Sequence, residues 1–392
     1  MQVLAIIPAR GGSKGIPRKN ILPIKGEPLV THIIRSAQES ELITRIIVST
    51  DDAEIAKVTQ ELGPEVIWRP AQISGDAAAS ESALLHVLEH LKNTENYYPD
   101  LVVFLQCTSP LTIAEDIDGT INTLIEKNAD SAFTVTPFHH FIWKEDDRNE
   151  AIGINHDKTV RKMRQHQDPE YLETGAVYVL RTEGFLKSKH RFFGKTIFHI
   201  TPHERAWEID EPIDFSIAET LLLEQKKARK NQALPNPLTG IVLDFDGVFT
   251  DNKVMVHEDG SEAVICSRGD GWGLSRIKEL GVPLLVLSSE KNPVVMRRSE
   301  KLGIECKQNI SNKVAALEEW LQYHQLKPAD VIYVANDVND LSCMRYVGCG
   351  IAVGDADPKV KACARIILEA SGGNGAIREL SDLIWRHKQC QQ

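Results

Sequence analysis

Residues 241–251 read IVLDFDGVFTD, an apolar run that ends in Asp244 and Asp246. A buried strand closing on two acids one residue apart sets both carboxylates at its carboxyl edge, where open α/β sheets place their ligands. One carboxylate can attack phosphorus and the other can move the proton, while a hard cation holds the phosphate between them. A second phosphate-type stretch, IIPARGGSKGIPRKN, opens the chain at residues 6–20. The chain therefore reads as two phosphate-handling machines in series.

Working outward from Asp244, further apolar runs at Pro283–Leu287 and Val331–Ala335 read as buried strands beside Ile241–Phe245. Leu4–Ile7, Arg45–Ser49 and Leu101–Leu105 repeat the theme in the first half. Strands alternating with amphipathic helices predict α/β architecture with parallel sheets, two doubly wound Rossmann-like domains in all. The stretch EQKKARKNQALPNPL at 224–238 begins as a charged helix tail and ends with prolines flanking Asn236. It predicts domains over 1–228 and 239–392, with a linker at 229–238.

The length of 392 residues suits two or three such domains. A net charge of -10 argues against a nucleic-acid footprint. No apolar run approaches the roughly 18 residues of a membrane helix, so no membrane partner is expected. The run VLAIIPA passes directly into a Gly-rich loop, unlike a signal peptide. Seven cysteines never fall in CxxC spacing, which suits reduced thiols in a cytoplasmic protein.

In the opening stretch a strand runs into Gly11, Gly12 and Gly15, interleaved with Arg10, Lys14, Arg18 and Lys19. Glycines let backbone amides approach phosphate oxygens, and basic side chains offset polyphosphate charge. No GK[ST] follows at P-loop spacing. With RPAQISGDAAAS at 69–80, FLQCTSPL at 104–111, RQ at 164–165, TGAVY at 174–178 and WEIDEPIDF at 207–215, this half resembles the sialic acid cytidylyltransferases. The resemblance spans residues 1–222 and implies a glycosyltransferase-A-like nucleotidyltransferase domain.

In that family the anomeric hydroxyl of a sialic acid attacks the α-phosphorus of CTP and expels pyrophosphate. The resemblance implies that Arg10, Gly11, Gly12, Ser13, Lys14 and Asn20 hold the nucleotide, with Arg69 and Ser80 completing its pocket. Arg10 and Lys14 would also serve catalysis. Gln106, Lys144, Arg164 and Tyr178 would contact the sugar acid, with Phe192 and Phe193 as the wall beside its acyl group; Lys144 is the looser match. A guanidinium at Arg164 independently suits the substrate's carboxylate. Glu208 and Asp210, two apart on an expected strand, would share a face and clamp Mg²⁺. A solvated acidic turn with Glu211 and Asp214 is the other reading. The family carries Asp at the first position, so Glu208 is a departure.

The DFDGVFTD segment resembles the haloacid dehalogenase superfamily. Ser288 after PLLVLS, Lys313 after QNISN and VANDVND at 334–340 follow in the family's order. The resemblance implies a phosphoaspartate on Asp244, proton transfer by Asp246, a phosphoryl hydrogen bond from Ser288 and charge balance from Lys313. Mg²⁺ would sit on Asp244, Asp246, Asn336 and Asp337. Asn336 stands where Asp is usual, leaving the site one negative charge poorer.

SRGDGWG at 267–273 and GGNGAIREL at 372–380 resemble the capless Kdo 8-phosphate and sialic acid 9-phosphate phosphatases. That subgroup implies Glu290 and Lys301 as contacts to a nine-carbon sugar acid, although both also fit a solvated helix. It further implies tetramers in which Arg378 reaches a neighbour's pocket. The expected function is bifunctional, with CTP, sialic acid and its 9-phosphate as partners. The rivals are an inactive assembly module in the second half, or a legionaminic or deaminated sialic acid as substrate.

Overall fold

The computed structural model describes residues 1–12, 15–75, 78–160, 163–166 and 168–389. Two compact units emerge, Met1–Glu224 and Gln225–Gln392.

The first unit is built on a seven-stranded sheet. In chain order its strands are β1 (Val3–Pro8), β2 (Arg45–Thr50), β3 (Glu65–Trp68), β4 (Leu101–Leu105), β5 (Ser131–Phe138), β6 (Glu170–Arg181) and β7 (Thr196–Ile200). In space they run β7-β5-β6-β4-β1-β2-β3. Strand β4 is buried from end to end and β1 as far as Ile7, as central strands covered on both faces must be. The helices α1 (Leu29–Glu39), α2 (Ala53–Leu62), α3 (Ser80–Glu95) and α4 (Ala114–Glu126) accompany them. Asp52 caps α2 by accepting from the amides of Glu54 and Ile55, and Gly63 closes it in the left-handed conformation.

The sheet departs from the all-parallel expectation at β6, which runs antiparallel to both β4 and β5. Its register shifts between Glu173 and Tyr178, where Gly175 adopts a φ of +67°. A bulge of this kind re-aims side chains beside a site. Helix α5 (Pro212–Ala233) then carries the chain from the first unit into the second.

The second unit has a six-stranded sheet made of β8 (Gly240–Leu243), β9 (Leu284–Leu287), β10 (Glu305–Lys307), β11 (Val331–Ala335), β12 (Cys349–Ala352) and β13 (Ile366–Ile367). Its order is β10-β9-β8-β11-β12-β13, with every pairing parallel. Central β8 and β11 are fully buried, which puts Asp244 and Asn336 one residue past neighbouring strand ends. Helices α6 (Arg268–Lys278), α7 (Val294–Leu302), α8 (Lys313–Tyr323) and α9 (Ala376–Gln389) include the ones that carry expected site residues.

Candidate active sites

In the first unit the loop after β1 and the segments after β3 and β4 enclose a cavity of about 380 Å³. Arg10, Lys19, Asn20, Arg69, Ser80, Gln106 and Asp210 all line it. Asn20 is buried and donates through Nδ2 to the Arg10 carbonyl at 2.9 Å, which pins the basic loop. The Arg10 guanidinium donates to the Gly75 carbonyl at 3.1 Å, and Arg69 grips the Ser49 carbonyl at 2.7 Å. Backbone oxygens thus fix both guanidinium groups at the cavity, where each suits an anion.

Lys19, one of the four basic residues of the loop, bridges it to the acidic segment. Its Nζ donates to the Ile209 carbonyl at 2.5 Å and lies 3.4 Å from Asp210 Oδ1. Ser13 and Lys14 lie outside the described residues, as does the side chain of Arg164. The Gly11 amide, expected to face phosphate, donates instead to Asp51 Oδ1 at 2.9 Å, and neither Gly11 nor Gly12 lines the cavity. Arg18 points into a pair with Glu54 at 2.5 Å.

Glu208 and Asp210 do not share a strand. Their segment has no ladder partner; Ile209 between them is fully buried and donates its amide to the Thr108 carbonyl at 2.8 Å. Asp210 faces the cavity, while Glu208 packs against Gly175, where a Cβ would come within 1.9 Å of its Oε1. Burial, then the charge of Asp210, pushes Glu208 up to about 7. A carboxyl raised by burial and by a neighbouring acid suits a divalent cation, whose charge would offset both causes.

Lys144 sits exposed on a hairpin, Trp143–Glu145 paired with Ala151–Gly153, and does not line the cavity. Tyr178 is buried; its hydroxyl donates to Glu173, and its ring stacks on Phe104 with centroids 5.3 Å apart. Phe192 packs edge-on to Phe133 at 5.1 Å, and Phe193 against Gly184. Phe104 lines the cavity together with Gln106, whose amide donates to the Gly175 carbonyl, while Tyr178, Phe192 and Phe193 are not among its lining residues.

The second unit presents a denser site. Lys313 opens α8, after Asn312 caps that helix by accepting from the Ala315 amide. Its Nζ lies 2.8 Å from Asp244 Oδ1 and 2.7 Å from Asp340 Oδ1, with all three side chains buried. Tyr333 donates to Asp340 at 2.6 Å. Burial raises Asp244, and the charge of Asp340 adds to it, because one ammonium serves two carboxylates. Asp340 and Tyr333 were not assigned roles from sequence. The first was visible as the last acid of VANDVND; the second gave no signal beyond its place in a strand.

Asn336 is buried, and its Oδ1 has no hydrogen-bond partner. Gly247, with a φ of +78°, makes room for it: a Cβ there would sit 1.8 Å from Asn336 Nδ2. An orphaned carbonyl oxygen at the end of the strand paired with the one that leads into Asp244 is a donor of the hard type that Mg²⁺ takes. Among the described residues no group of three or more His, Cys, Asp or Glu is placed to hold a metal. Asp337 does not join, because it is exposed and its Oδ1 accepts the Val338 amide at 2.6 Å.

Asp246 is half-buried, and burial followed by the charge of Glu290 raises it. Ser288 is buried at the end of β9, and its hydroxyl accepts the Glu290 amide at 3.0 Å. Glu290 caps its own loop through the amides of Lys291 and Asn292. Lys301 lies in the last turn of α7, whereas Glu290 stands in the loop before that helix. Arg378 stacks on Trp272 of its own unit at 3.8 Å.

A family model described as cytidylyltransferase matches residues 4–234, and one described as haloacid dehalogenase-like hydrolase matches residues 287–380. N-acylneuraminate cytidylyltransferase A of Danio rerio is 28% identical over 389 residues, covering 97% of this chain and 88% of that protein. Pseudaminic acid cytidylyltransferase of Campylobacter jejuni is 30% identical over 224 residues, covering 56% of this chain and 96% of that protein. A solved 3-deoxy-D-manno-octulosonate 8-phosphate phosphatase from Moraxella catarrhalis is 26% identical, covers 42% of this chain and 92% of its own, and superposes with a TM-score of 0.39. No helix among the described residues is long and apolar enough to cross a membrane.

Proposed function

Because the chain belongs to the cytidylyltransferase family and carries a haloacid dehalogenase-like hydrolase domain behind it, we propose a bifunctional enzyme of sialic acid activation. Residues 1–228 would transfer CMP from CTP to the anomeric hydroxyl of N-acylneuraminate, releasing pyrophosphate. Residues 239–392, beyond a linker at 229–238, would hydrolyse sialic acid 9-phosphate. The observation that carries the first step is the cavity lined jointly by Arg10, Lys19, Asn20, Arg69 and Asp210.

Displacement at a polyphosphate is chiefly positioning and charge neutralisation. Arg10 and Lys19 would bind phosphate oxygens, Arg69 and Ser80 would complete the nucleotide pocket, and Gln106 would orient the sugar acid beside the Tyr178 and Phe192 wall. In the second unit Asp244 would attack phosphorus, with Asp246 giving the leaving alkoxide its proton and then taking one from water. Its raised pKa supports that donor role. Lys313 would hold Asp244 in line, and Ser288 would orient the phosphoryl group. Mg²⁺ held by Glu208 and Asp210, or by Asp244, Asp246 and Asn336, would supply charge neutralisation at phosphoryl oxygens.

Supplying CTP, Mg²⁺ and the 9-phosphorylated acid tests both steps in one vessel. Phosphate, pyrophosphate and the CMP-sugar should all accumulate. An Asp244→Asn variant should release no phosphate yet still form pyrophosphate when given the free acid. Phosphate release unchanged in that variant would remove the hydrolase reading. Asn336 favours a second reading, in which the C-terminal unit is a weak catalyst retained for tetramer assembly.

A further inference from the structure

One partly buried ion pair beside the first cavity has no role in the chemistry above. Arg191 Nε donates to Glu81 Oε1 at 2.7 Å, with the side chains 19% and 12% exposed. The Arg191 guanidinium lies over the rings of Tyr178 at 4.7 Å and Phe104 at 5.0 Å. Those two rings stack because Tyr178 and Phe104 stand opposite each other on paired β6 and β4. Glu81 follows cavity-lining Ser80 in the first turn of α3, and Arg191 directly precedes Phe192.

The pair therefore joins three pieces of wall: the α3 turn, the aromatic stack, and the loop bearing Phe192 and Phe193. An apolar residue of similar volume would serve stability there about as well, since desolvating two charges offsets much of their attraction. What an ion pair adds is direction. A guanidinium stacked on two rings and fixed through Nε has little rotational freedom. Glu81 also cancels the charge of Arg191, so the wall gains an anchor without a competing receptor for a substrate carboxylate.

We propose that Arg191 and Glu81 are a positioning pair for cytidylyl transfer, holding the Tyr178 and Phe192 wall against the α3 turn and setting affinity for the sugar acid rather than for CTP. This rests on the cytidylyltransferase reading given above. Arg191→Met, Arg191→Lys and Glu81→Gln are compared with the wild type by pyrophosphate release, varying the sugar acid and CTP in turn. Arg191→Met and Glu81→Gln should each raise KM for the sugar acid tenfold or more and leave KM for CTP within threefold. Arg191→Lys should recover part of the loss.

Equal rises in both KM values, or no rise in either, overturn the pair's role, as does full activity in Arg191→Met. If Arg191→Met does not fold, Glu81→Gln decides alone, since it is nearly isosteric. A wild-type protein that forms no pyrophosphate from CTP and the acid overturns the underlying reading instead. Wild-type activity with unaltered KM values in the variants sinks only the positioning pair.

Discussion

The two sites place the same elements, cations and carboxylates, in opposite surroundings. In the first unit Arg10, Lys19 and Arg69 line a cavity of about 380 Å³, with Lys19 3.4 Å from the exposed Asp210. In the second unit Lys313 is closed between Asp244 and Asp340, all buried. A nucleotide brings several negative charges of its own, so its receptor needs cations that face a cavity. A nucleophile needs the reverse: a charge fixed in place before substrate arrives, away from water that would let it wander. Whether cations face a cavity or are closed against buried acids thus separates a binding site from a covalent one.

The largest expected break in that comparison is Lys313→Met. It leaves two buried carboxylates without their cation, which costs about 3–5 kcal/mol. Denaturant unfolding of the full chain should show the second transition moved to lower denaturant and the first unmoved. Adding Asp340→Asn should restore part of the loss. If the midpoint does not change, the buried network is not what holds this edge.

Asn336→Asp would complete a third acid and should tighten Mg²⁺ binding about tenfold, roughly 1.4 kcal/mol. Calorimetric titration of the wild type and variant reads this directly. A weaker site would mean that Asn336 Oδ1 does not face the metal.

The first unit's cation affinity should depend on pH through Glu208, which burial and Asp210 push up to about 7. Below that pH the carboxyl holds a proton that the cation must displace. Affinity should then fall about tenfold per unit of acidification and level off above it. Glu208→Gln should flatten the profile. A profile equally steep in the variant would assign the dependence elsewhere.

The smallest effect is expected from Arg18→Ala. Its partner Glu54 is as exposed as Arg18 itself, 56% against 53%, so the pair contributes at most about 1 kcal/mol. KM for CTP should move less than twofold. A tenfold rise would show that Arg18 leaves Glu54 to reach the nucleotide.

Apolar runs were enough to read the strands around both sites, because a strand buried on two faces has little choice but Val, Ile and Leu. Strand ends then located Asp244, Ser288 and Asn336 without any contact information. The antiparallel β6 was not legible: its direction is set by pairing with strands that lie far away in sequence. The strand expected for Glu208 and Asp210 failed for a similar reason, since Ile209 is fixed by Thr108, about a hundred residues earlier in the chain.

Sequence by itself determined which residue types stand at the carboxyl ends of the strands, and with them the class of chemistry. Local spacing carries that information, because a strand delivers its last residues to one edge whatever else surrounds it. Only tertiary structure decided which charges are spent on each other. Arg18 went to Glu54, the Gly11 amide to Asp51, and Lys313 to Asp244 and Asp340. Pairing of charges depends on distance in space and on burial, and neither is written in the order of residues.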